Sequence, residues 1–109
     1  MIDGQLIARP NGDPLIYRVI FDDGTGPVEV GSISKRTRHT QQNERYWHWG
    51  VDRMPLMDQG GSPPSGETWS REAALQAFKA AFLKWVNALH PGDWRRNRDH
   101  IKTGARFRK

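Results

Sequence analysis

Asp22 and Asp23 stand side by side, and paired carboxylates are common equipment for general acid–base chemistry. That chemistry needs the two groups to converge on one point. Neighbours on a strand point to opposite faces, and Gly24 follows at once, so a turn accounts for the pair better than a site does. His39, His48, His90 and His100 include no helical i, i+4 pair of the kind that holds a metal. His39 and His48 bracket a polar stretch with Lys35 close by, the spacing of a ribonuclease-like histidine pair. A loop histidine and a solvent-facing strand histidine explain them more simply. Ser32 and Ser34 lack the Gly-x-Ser-x-Gly frame of a nucleophile elbow. Gly24-Thr25-Gly26 runs into Pro27 and a strand rather than a helix, which makes it a hairpin turn and not a phosphate cradle. With no cysteine there is no thiolate metal site, thiol nucleophile or disulfide. The expectation is a protein that is not an enzyme and takes no cofactor or metal.

Positive charge is the stronger signal. Residues 95–109 carry Arg95, Arg96, Arg98, Lys102, Arg106, Arg108 and Lys109 against Asp99, a net +6. Residues 1–94 hold ten basic and eleven acidic side chains, a net −1. A near-neutral body with a basic tail suits a polyanion, because binding scales with the number of phosphates neutralised. A second basic cluster, Lys35, Arg36, Arg38 and Arg45, is interleaved with Thr, Gln and Asn, residues that also contact phosphate. Both clusters are equally consistent with solvated, solubilising surface. These eleven side chains are the candidate nucleic-acid-binding set.

Tyr46-Trp47-His48-Trp49 is the most unusual run. Alternation puts Trp47, Trp49 and Val51 on one face and Tyr46, His48, Gly50 and Asp52 on the other. The tryptophan face is expected to be core. Tyr46 and His48, near Arg18, then form a small platform on which bases can stack.

The elements that must position these residues follow from periodicity. Leu15 to Phe21 alternates and is rich in β-branched and aromatic residues, so it is a strand. Asp22 to Pro27 turns, and Val28 to Ser34 returns as its antiparallel partner. Lys35 to Arg45 contains no apolar residue and reads as a solvated loop, with the strand Tyr46 to Met54 beyond it. Gln5 to Arg9 is a candidate extra strand, and Pro55 to Thr68 a polar connection. Ser70 caps a helix in which Leu75, Phe78, Phe82, Trp85 and Leu89 form one stripe, ended by His90-Pro91-Gly92. Asp93 can cap a short further helix through Trp94, Asn97 and Ile101, with order to about Ile101 and none expected over 102–109. The fold class is therefore α+β: a three- or four-stranded antiparallel sheet with one long C-terminal helix on one face. Residues 1–94 form a single domain and 95–109 a basic, partly disordered tail.

The order Gly31-Ser32-Ile33, Trp47-His48-Trp49, a Gly/Pro connection and the helix opening Ser70-Arg71-Glu72-Ala73 resembles small alphaproteobacterial proteins of unassigned function over roughly residues 30–90. The resemblance implies a bacterial source and a fold, and brings no activity with it. Trp49-Gly50 also matches the start of a WGR signature, but Val51 stands where that family has Arg.

Hydrophobic residues make up 36% of the 109, below the ~45–50% of a globular average, although eleven aromatic rings offset the shortfall. The beginning of the chain has no signal-peptide pattern, and no apolar run reaches membrane-spanning length, so a cytoplasmic protein without membrane contact is expected. The functional expectation is a small binding protein that contacts nucleic acid or another polyanion through loop and tail. The alternative is a protein–protein adaptor or inhibitor, of phage or mobile-element derivation, that binds an acidic partner. Oligomeric state is open.

Overall fold

In a computed structural model the chain is an α+β protein: five antiparallel strands and two helices. The structure describes residues 2–38, 42, 44–52, 63–89 and 91–107, with the backbone alone for 91 and 103–107. The strands are β1 (Gln5–Pro10), β2 (Ile16–Asp22), β3 (Pro27–Arg38), β4 (Glu44–Val51) and β5 (Ser65–Thr68). The helices are α1 (Arg71–Ala88) and α2 (Pro91–Phe107). Sheet order is β1-β2-β3-β4-β5, a meander in which every strand pairs with its neighbour in sequence.

Five strands replace the expected three or four. β1 is the candidate extra strand. β5 lies inside the stretch read as a polar connection, because Ser65-Gly66-Glu67-Thr68 has no apolar alternation to betray it. Its place is fixed by packing instead. A Cβ on Gly66 would stand 2.8 Å from Nε1, Cε2 and Cζ2 of Trp49, so the bare backbone lies directly under the indole. The expected loop 35–45 is also shorter than its composition suggests, since β3 runs to Arg38 and β4 starts at Glu44.

The core fills the space between one sheet face and α1. Val19, Phe21, Val28, Val30, Ile33, Trp49 and Val51 meet Ala74, Phe78, Phe82 and Val86. Val30 and Gly31 both turn inward, where the β2–β3 register slips between Val19 and Ile20, as a bulge requires. Gly31 is needed there, because a Cβ would sit 2.4 Å from Phe78 Cε2 and 2.3 Å from the Gly50 carbonyl oxygen. Ser70 caps α1 as expected, its side chain accepting from the Ala73 amide. The buried stripe of α1 is Ala74, Phe78, Phe82 and Val86, not the one drawn through Leu75, Trp85 and Leu89. Leu75 and Trp85 are partly buried against its flanks.

The helix α2 crosses the boundary drawn between residues 94 and 95. Trp94 is 3% exposed and its indole stands edge-on to Phe21 and Phe82, with centroids 5.4 and 5.7 Å away. Trp94, Asn97, Arg98 and Ile101 fall at i, i+3, i+4 and i+7, one helical face. Asn97 is fully buried and donates to the Asp93 carbonyl. The backbone is helical to Phe107, well into the stretch expected to lack structure.

Candidate nucleic-acid interface

The β2 strand stays paired with β3 only up to Ile16 opposite Ser34, with the Lys35 amide donating to the Leu15 carbonyl just beyond. On the other side, β5 pairs with β4 only from Gly50 back to Trp47. Past those points Arg36, Thr37 and Arg38 pair with Tyr46, Arg45 and Glu44 alone. The far end of the β3–β4 hairpin is thus a two-stranded ribbon projecting beyond the five-stranded sheet.

Alternation divides the ribbon's cations between two faces. Arg36, Arg38, Tyr46 and His48 share the face that α1 leaves open, whereas Lys35 and Arg45 share the side of Trp47 and the core. Arg45 is exposed and Lys35 half-buried, and neither has an ion pair among the described residues. Arg36 donates through Nε to Ser34 Oγ at 3.2 Å. The Arg38 guanidinium lies 4.8 Å over the Tyr46 ring and also pairs with Glu67 of β5. His48 sits opposite Glu67 in register. Its burial, aided by the charge of Arg36 and opposed by Glu67, lowers its pKa, so the ring is neutral at pH 7. Arg18, expected beside Tyr46 and His48, lies further along the open face. It bonds Asp52 at 2.5 Å and Glu29 at 3.4 Å.

The second basic group is on α2. Arg98 is only 15% exposed and donates to Asp23 at 2.9 Å and Asp99 at 3.1 Å. Lys102 Nζ donates to the Thr25 carbonyl at 2.7 Å and to Thr25 Oγ1 at 3.1 Å. Arg96 pairs with Asp93. Arg95 is exposed without an ion pair among the described residues. Arg106 lies on helical backbone without a described side chain, and Arg108 and Lys109 lie outside the described residues, as do His39 and His90. The structure therefore uses Arg98 and Lys102 to fasten α2 to the β2–β3 turn. About 30 Å of β3 separates that turn from the ribbon, so loop and tail cations are two groups, not one patch.

The Asp22–Asp23 pair serves that turn. Asp22 accepts from the Gly24 and Gly26 amides. Asp23 accepts from Thr25, Trp94 Nε1 and Arg98. Burial alone would raise the Asp23 pKa, but the hydrogen bonds from Thr25, Arg98 and Trp94 outweigh it and hold the carboxyl far below the usual range.

Trp69 carried no role in the sequence reading, yet it is 75% exposed, the most exposed of the large apolar side chains among the described residues. It follows β5 by one residue, next to the Thr68–Trp47 pair. Its signal was its position before the Ser70 cap. A large apolar residue there normally staples onto the fourth helical residue, but that residue is Ala74, buried in the core.

No protein-family model, curated protein or solved structure matches this chain. Among the described residues no helix is long and apolar enough to cross a membrane.

Proposed function

We propose that this chain is a non-catalytic nucleic-acid-binding protein whose phosphate contacts come first from the β3–β4 ribbon and second from the outer face of α2. The ribbon carries the reading: it sets Arg36, Arg38 and Arg45 on a projecting element with Lys35 at its base, where its own strand pairs bring only Glu44 against them and Arg38 also reaches Glu67 of β5. Arg95 and Arg96 add exposed charge on α2. The non-catalytic part is supported by the two adjacent aspartates, whose carboxylates already accept hydrogen bonds that shape the turn.

Fluorescence anisotropy with a labelled 20-nucleotide DNA or RNA, titrated across 50–200 mM salt, tests the proposal. Affinity should fall steeply with salt, and Arg36→Ala with Arg45→Ala should flatten the slope by about two contacts. Unchanged binding in that double variant would shift the contact to α2. No binding at 50 mM salt would reject nucleic acid and leave an acidic protein as the partner class to pursue.

A further inference from the structure

The ribbon end of the open sheet face holds more than charge. Tyr46 carries a guanidinium plane on its ring, with Arg38 at 4.8 Å. Arg38 reaches on to Glu67, two residues before Trp69, so ribbon and β5 are joined at that point. Trp69 comes next and leaves three-quarters of its surface in water. The other four tryptophans all contribute to the core or pack against it. An indole left out of a small core, two residues along the chain from the Glu67 that Arg38 pairs with, suits a flat ligand, and the arginines of the ribbon suit an anionic one. A base in a duplex offers only its edges, whereas an unpaired base offers its face to aromatic rings and arginine planes. A peptide would gain the ring but has no use for the cations unless it is acidic.

We propose that the ligand is a single-stranded nucleic acid, with one base stacked on Trp69, a second on the Arg38–Tyr46 layer, and the intervening phosphates met by Arg36. This rests on the nucleic-acid reading above and names the strand state and the stacking residues. Charge and aromatic surface act separately, so they can be measured separately.

The test uses the full chain, a fluorescein-labelled oligothymidylate of twelve residues, a twelve-base-pair duplex and inorganic polyphosphate. Trp69→Ala should weaken oligothymidylate binding by about tenfold or more, the scale of one lost stack. Trp69→Phe should restore most of it, and polyphosphate affinity should be unaltered in both. Oligothymidylate should quench tryptophan emission in the native protein and much less in Trp69→Ala. Circular dichroism should show both variants folded, as befits an exposed position. Equal binding of oligothymidylate by native protein and Trp69→Ala, or a duplex bound as tightly as the single strand, overturns this inference and leaves phosphate binding by the ribbon standing. Failure of native protein to bind any of the three probes overturns both.

Discussion

Asp23 concentrates more structural consequence than any other single side chain. It receives Trp94 Nε1 at 3.0 Å and Arg98 Nη1 at 2.9 Å, and is itself largely buried. Asp23→Ala leaves Trp94 Nε1 without its acceptor and Arg98 with Asp99 alone, and should cost about 3 kcal/mol, read by urea denaturation. Because the folded-state pKa is lowered, the stabilisation is fully present above the unfolded value of about 3.9 and is lost as pH falls below it. The melting temperature of the native protein should therefore drop below about pH 4, and Asp23→Asn should show a shallower acid limb over the same range. An equally steep limb in Asp23→Asn would assign the acid sensitivity elsewhere. Phe82 sets the scale in the core. It is fully buried and contacts Phe21, Phe78 and Trp94 through their rings, so Phe82→Ala should cost about 3–5 kcal/mol. Trp85→Ala, at a partly buried position, should cost clearly less, and the reverse order would mean that the helix face is misassigned.

At the scale of elements, the sequence was legible wherever alternation or helical period was carried by large apolar residues. The strand through Tyr17, Val19 and Phe21 and the helix through Phe78 and Phe82 announced themselves in this way. The Trp49 face and the Ser70 cap did so too. One element escaped and another was read too short, for different physical reasons. The strand β5 is defined by a side chain that is missing, since Gly66 admits the Trp49 indole and no apolar pattern marks it. The helix α2 was expected only as a short one to about Ile101, and its full length to Phe107 was masked by its charge. Seven cations read as a tail, although Trp94, Asn97, Arg98 and Ile101 trace a buried face with an arginine in it. Of the candidate site, the cations were legible by type, but their division between two faces of a ribbon depends on strand pairing that no composition reveals. Two element-level expectations follow. Gly31→Ala places a methyl 2.3 Å from the Gly50 carbonyl oxygen and 2.4 Å from Phe78 Cε2, and should lower the melting temperature more than Gly24→Ala, which meets no atom within 4 Å and bears only the backbone strain of its φ of 100°. A chain ended at Leu89 loses Trp94 from between Phe21 and Phe82 and should keep its far-ultraviolet circular dichroism while losing near-ultraviolet signal and NMR dispersion.

The whole molecule measures 47 × 32 × 22 Å, and β3, at twelve residues, is the longest of its described strands. The meander also has a consequence in time. Each strand closes on the one just made, and the first four are joined by connections of only four or five residues, so that part of the sheet assembles with little loss of chain entropy. The α2 contacts are of another kind. Arg98 meets Asp23 across 75 residues of chain and Trp94 meets it across 71. Such closures form late, after the sheet and α1 have built the surface that receives them. In stopped-flow experiments Asp23→Ala should therefore accelerate unfolding while leaving the refolding rate nearly that of the native protein, a φ-value close to zero. Phe78→Leu, within the sheet–helix nucleus, should slow refolding. The helix that carries Arg95, Arg96, Arg98, Lys102 and Arg106 would then be the last part to settle, and the first to open when the native state fluctuates.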